Sequence, residues 1–215
     1  MTKGLEVSHL TISRKSAPLL SLNFSIAPGE ILTVMGPSGA GKSTLLSAIS
    51  GHLAPDFSIS GTITLEGQNL LSRPAAERRV GILFQDHLLF PHLSVGGNLA
   101  FGLSPAVAKK DRPGIIAAAL ADIGLSGFEH RDPTTLSGGQ KARVALMRML
   151  LAEPRLLLLD EALSGLDADL RRAIRQMVFD QARDRGLPVL MVTHDPEDAE
   201  SAGGKVLRLT SPEIH

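Results

Sequence analysis

The chain has 215 residues, of which 43% are hydrophobic, so it can bury one sizeable core or two closely joined lobes, and intrinsic disorder is excluded. Lys plus Arg and Asp plus Glu number 22 each, which argues against a nucleic-acid binder, although balance alone leaves room for a local basic patch. There is no cysteine, which rules out disulfides and thiolate metal sites.

Met1 to Leu10 is mixed polar and apolar and lacks the apolar stretch of a signal peptide. No apolar run is long enough to span a bilayer, so a membrane role must come through a partner. Leu20, Leu22, Phe24 and Ile26 alternate with polar residues and predict a half-buried strand, as do Ile63 and Leu65. Glu30 to Met35 reads as an apolar strand entering a Gly-rich turn. A helix is expected over roughly Lys42 to Ser50, ended by Gly51. Val80 to Gln85 is a further short strand. From Asp86 to about Leu151 the pattern is helical, with Ile115, Ile116, Ala119, Leu120 and Ile123 on one face and Gly124 closing it. Leu156 to Asp160 and Val189 to Thr193 read as strands of a parallel sheet covered on both faces. Between them Leu170, Ile174, Met177 and Val178 mark an amphipathic helix that Gly186 can stop. The layout is βαβ with a helical insertion.

Three constellations carry chemistry. Gly36, Pro37, Ser38, Gly39, Ala40, Gly41, Lys42 and Ser43 match G-x-x-x-x-G-K-S between a strand and a helix. Such a loop turns backbone N–H groups on phosphate oxygens; Lys42 can reach the β- and γ-phosphates, and Ser43 can ligate Mg²⁺. Asp160 and Glu161 close a buried strand at the sheet edge where ligands bind. Asp160 can hold Mg²⁺ through water, and Glu161 can polarise an attacking water. Ser137 and Gln140 have the spacing of a capping box, and Gly138 and Gly139 expose N–H groups at that helix start, a second anion site in physical terms.

With Leu136-Ser137-Gly138-Gly139-Gln140 the chain resembles the ATP-binding cassette (ABC) ATPases. Six motifs follow the family's order: Gly36 to Thr44, Gln85, Leu136 to Gln140, Leu156 to Glu161, Ser164 to Asp167, and His194. The resemblance implies an α/β fold. Its P-loop NTPase (RecA-like) parallel-sheet core carries an N-terminal antiparallel β subdomain and a helical signature subdomain. It implies one nucleotide-binding domain over 1–215, with a core lobe at 1–85 and 151–215 and a helical subdomain at about 86–150. ATP and Mg²⁺ are the implied ligands, with Ser43, Gln85 and Asp160 at the metal. Ser137, Gly138, Gly139 and Gln140 would serve the ATP held by a second copy. Gln85 would sense the γ-phosphate, Glu161 would be the general base, and His194 would be the switch histidine. Asp167 would belong to the loop that meets the second copy.

The sequence departs from the family in two places. No Tyr or Trp is available to stack on adenine; the position falls near Arg14, whose guanidinium plane can stack on a base, with Ile12 as the bland alternative. Ala162 stands where Pro is common after the general base.

Gln85 to Val95 and Asn98 to Leu103 look like the corresponding stretch of importers. Leu88, Leu89, Phe90 and Leu93 would either line a groove for a permease helix or belong to the core of the helical lobe. The chain ends soon after Val206 to Leu209, so the extra regulatory domain of many sugar and polyamine importers is expected to be missing. The implied protein is an importer ATPase on the cytoplasmic face of the plasma membrane, of the thiamine, iron or anion type. Its partners would be permease subunits, a second copy of itself and a solute-binding protein, with no nucleic acid. An exporter or lipoprotein-release ATPase is the runner-up, and a soluble non-transport P-loop ATPase comes after it.

Overall fold

The computed structural model describes residues 4–84, 88–160 and 168–209. The chain divides into two compact units. One draws on residues 1–82, 155–161 and 179–215, and the other on 83–154 and 162–178.

The first unit opens with β1 (Leu5–Arg14) and β2 (Ala17–Ile26), which pair antiparallel through a tight turn. The expected alternation along β2 holds, since Leu20, Leu22 and Ile26 are buried while Ser21, Asn23 and Ser25 face solvent. β3 (Ile31–Met35) is wholly buried and runs into α1 (Lys42–Ser50). Gly51, at φ 88°, closes α1 in the left-handed conformation that glycine adopts most readily. β4 (Phe57–Leu65) returns to pair with β1, and β5 (Gln68–Asn69) flanks it, giving an antiparallel sheet of order β2-β1-β4-β5.

β6 (Val80–Phe84) joins a second sheet that continues later in the chain. Its other members are β7 (Leu156–Asp160), β8 (Val189–Thr193) and β9 (Lys205–Arg208), in the order β6-β7-β8-β3-β9. β3 runs parallel to β8 and to β9, and β7 runs parallel to β8. β3 and β8 are buried along their whole length, as expected of strands covered on both faces. Leu5, Leu10, Ile12, Leu45, Ile49, Leu156, Leu158 and Leu190 belong to one continuous apolar cluster between the two sheets and α1.

Among the described residues, the second unit holds α2 (Val95–Gly102), α3 (Arg112–Asp122) and α4 (Gly138–Leu151). α3 buries Ile116, Ala119 and Leu120 on one face, and Gly124 takes φ 67° just beyond its end. α5 (Ala168–Asp184) is divided between the units, and Gly186 beyond it has φ 62°. α6 (Pro196–Ala202) follows β8 in the first unit. No helix of the described residues is long and apolar enough to cross a membrane.

Candidate active site

The parallel sheet brings three predicted positions to one edge. Met35 lies opposite Thr193 in the register of β3 and β8, so Gly36 and His194 leave neighbouring strands at the same level. Asp160, the last residue of β7, lies opposite Val192. The carboxyl edge of an open parallel sheet is the ordinary place for a ligand, because the connecting loops diverge there.

Gly36 is closely packed, since a Cβ on it would stand 3.0 Å from both the Cβ and the carbonyl oxygen of Leu209, which would have to give way. Gly41, the residue before α1, has φ 87° and offers no side-chain cap. The first turn of α1 also lacks an acidic residue. Among the described residues no side chain caps its leading N–H groups, and the positive end of the helix dipole stands behind them. Ser94, Ser137 and Asp195 cap α2, α4 and α6.

Lys42 is 7% exposed and folds back over the loop. Its Nζ donates to the Gly36 carbonyl at 2.8 Å and to the Pro37 carbonyl at 3.0 Å. A buried ammonium resting on two neutral carbonyls can exchange them for an anion with a gain in charge pairing. Ser43 Oγ stands 3.4 Å from Asp160 Oδ1. A hydroxyl and a carboxylate meeting at this edge are hard oxygen donors, the set that suits Mg²⁺. Pro37, Ser38 and Gly39 are exposed, Ala40 is buried, and Thr44 is half-buried.

His194 is exposed. The turn that carries it is held by residues the motif reading passed over. Thr193 Oγ1 donates to Asp198 Oδ2 at 2.9 Å and accepts from the Asp195 N–H at 3.0 Å. Asp195 Oδ1 accepts from the Glu197 N–H at 2.9 Å. The only local signal for this arrangement was an Asp-Pro step of the kind that starts a helix.

In the other unit, Ser137 caps α4 through a complete capping box. Its hydroxyl accepts from the Gln140 N–H at 3.3 Å, and Gln140 Oε1 accepts from the Ser137 N–H at 2.9 Å. Leu136 and Gly139 are buried, while Ser137 and Gly138 face solvent. Arg143 steadies this helix start, donating from Nη1 to the Ile123 carbonyl at 2.9 Å.

Arg14 sits at the end of β1, exposed. Its Nε donates to Asp56 Oδ2 at 2.8 Å, and its guanidinium carbon lies 5.4 Å from the centre of the Phe57 ring. Ile12, the alternative to Arg14, is wholly buried in the core and cannot meet a base. Of the four apolar residues weighed as groove or core, none is buried. Leu88 is 59% exposed, and Leu89, Phe90 and Leu93 are half-buried. The core of this unit is supplied instead by Val95, Leu99, Leu120, Leu146 and Leu150. Gln85, Glu161 and the Ser164 to Asp167 stretch lie outside the described residues.

A lysine-bearing glycine loop, an acidic strand end and a capped Ser-Gly-Gly helix start together define an ABC-type ATPase. The family profile described as ABC transporter matches residues 19–164, and the chain belongs to that family and is an ATPase. An uncharacterized ABC transporter ATP-binding protein, YnjD of Escherichia coli K12, is 50% identical over 86% of this chain and 85% of its own. The thiamine import ATP-binding protein ThiQ of Jannaschia sp. CCS1 is 44% identical over 94% of this chain and 87% of its own. The spermidine/putrescine import ATP-binding protein PotA of Mesoplasma florum is 41% identical over 91% of this chain and 55% of its own.

Proposed function

We propose that this chain is the ATP-hydrolysing subunit of a membrane importer for a small solute or ion, and that two copies pair head to tail around ATP. The observation that carries the reading is a pair of unlike helix starts in one chain. The start of α1 is uncapped and beside Lys42, fit for a triphosphate. The start of α4 is rigidly capped, with Ser137 and Gly138 facing solvent. One triphosphate does not need both from the same molecule, whereas two copies exchanging them complete two sites. The import functions named for ThiQ and PotA, which match most of this chain, support the direction of transport.

In this reading residues 1–215 form one nucleotide-binding domain, with a core lobe at 1–85 and 151–215 and a helical subdomain at about 86–150. Lys42 and the N–H groups of Gly36 to Thr44 bind and orient the phosphates. Ser43 and Asp160, with Gln85, would hold Mg²⁺, which would neutralise phosphate charge. Arg14, backed by Phe57 and pinned by Asp56, offers a flat cation to the base. Glu161 accepts a proton from water as the water oxygen attacks the γ-phosphorus, and ADP leaves. His194 contacts the γ-phosphate, and Ser137, Gly138, Gly139 and Gln140 close on it from the second copy. The partly exposed stretch at Leu88 to Leu93 meets the permease, and in this reading the chain sits peripherally at the cytoplasmic face of the membrane. A solute-binding protein completes the system.

The test is the Glu161→Gln variant, which removes the base and leaves the grip. With saturating ATP and Mg²⁺ it should elute as a dimer on sizing and return to monomer when nucleotide is withdrawn. A monomer at saturating ATP would overturn the paired-site reading.

A further inference from the structure

Asn98 of α2 has no exposed surface. Its amide is used on both sides, and nearly all of it goes to one loop. Oδ1 accepts from the Phe90 N–H at 2.8 Å, while Nδ2 donates to the carbonyls of Phe90, Leu93 and Ser94 at 3.1, 3.3 and 3.1 Å. A second side chain reaches the same loop from α4. Arg148 donates from Nη2 to the Leu88 carbonyl at 3.0 Å and from Nη1 to Asn98 Oδ1 at 3.2 Å, and its guanidinium lies 4.9 Å from the centre of the Phe90 ring. The two helices touch at this level, since a Cβ on Gly102 would fall 2.2 Å from the Arg148 carbonyl oxygen.

The loop so held is irregular, and it presents apolar surface. Leu88 is 59% exposed, and Phe101 of α2, 67% exposed, extends that surface with its ring 4.6 Å from the Phe90 ring. Arg148 stands in the last turn of α4, and Ser137 caps the first. At 1.5 Å per residue, about 16 Å of continuous helix separates the two positions. An apolar residue would fill the volume of the buried Asn98 at less desolvation cost, and half-buried Arg148 gives up part of its hydration to reach the same loop. Spending both on the backbone of one loop is the arrangement expected where the loop's shape matters.

We propose that Asn98 and Arg148 are positioning residues, a clamp that ties the shape of loop 88–94 to the placement of the helix headed by Ser137. This rests on the reading above, in which the head of α4 meets the second copy's ATP and the loop meets the permease. ATP closure is thereby converted into a change of loop shape. The link is a guanidinium fork and one amide, both of which must bridge two partners at once.

The experiment is backbone hydrogen exchange over residues 88–94 in the full chain carrying Glu161→Gln, with and without ATP and Mg²⁺. With the clamp intact, ATP should change exchange in this segment by at least about threefold. Adding Arg148→Lys, which keeps the charge but loses the fork that reaches Leu88 and Asn98 from two separate nitrogens, should raise basal exchange there about tenfold and abolish the ATP response. Binding of a fluorescent ATP analogue should stay within about twofold, because the cradle is untouched. Asn98→Ala should behave alike; if it fails to fold, Arg148→Lys decides alone. A variant that still pairs with ATP and keeps the loop response overturns the clamp. If Glu161→Gln itself never pairs, the paired-site reading has failed. The clamp is then judged on basal exchange, and an unchanged rate in Arg148→Lys overturns it.

Discussion

The Thr193 hydroxyl donates to Asp198 and accepts from the Asp195 amide, so the turn bearing His194 cannot rotate independently of α6. Replacing Asp198 by Ala should lower kcat for ATP hydrolysis about tenfold with KM within about twofold, since the loss is one of alignment. Asp198→Asn keeps an accepting carbonyl and should recover most of the rate; equal activity in both variants would deny the turn a part in catalysis. Thr33 carries the opposite lesson. Its hydroxyl is buried in β3 and finds no partner among the described residues. Thr33→Val should raise stability by about 1 kcal/mol, read as a higher urea midpoint at unchanged slope. Lys42, Ser43, Asp160 and Ser137 were legible in the sequence because each sits in a short local pattern with a physical reason for its spacing. Asp198, Asn98 and Arg148 were not, because their meaning lies in partners that spacing alone does not reveal.

Local code served the elements well wherever periodicity and glycine punctuation agreed. α1, β7 and β8 have the bounds expected of them, and the capping box at Ser137 formed as its spacing required. The irregularity of β1 was hidden. His9 takes φ 49° where the pairing with both neighbouring strands shifts, and a Cβ on Gly61 would fall 2.2 Å from the His9 carbonyl oxygen. A bulge of this kind depends on a strand fifty residues away, which no alternation pattern reveals. The far end of α1 was equally silent. Arg78 is buried and donates to the Ala48 and Ile49 carbonyls at 2.8 and 2.9 Å and to the Arg73 carbonyl at 3.0 Å. Burial presses its pKa below the usual arginine range, which leaves the last α1 carbonyls dependent on a costly cation. Arg78→Met should therefore lower unfolding free energy by about 2–4 kcal/mol in urea titration, and a loss under about 0.5 kcal/mol would show those carbonyls were otherwise satisfied.

Across the whole molecule, the absence of Tyr and Trp turns composition into an assay. Seven Phe residues give only weak near-ultraviolet bands, so any retained adenine dominates the spectrum at 260 nm. Glu161→Gln loaded with ATP and desalted should keep that band, and adding Lys42→Ala should remove it; a band that survives would deny Lys42 its part in the grip. The alternating and fully apolar strands announced an α/β class, and six ordered motifs announced the family. Which side chains brace the nucleotide loop from outside was beyond such reading. Leu209, just past β9, donates its N–H to the Met35 carbonyl at 2.7 Å and crowds the space a Gly36 side chain would enter. One hydrogen bond thus ties this leucine to the residue that precedes the phosphate loop. Tension applied to the polypeptide downstream of Leu209, by a fused module or a tether, would thus be felt at the triphosphate as a change in loop pitch, without any direct contact.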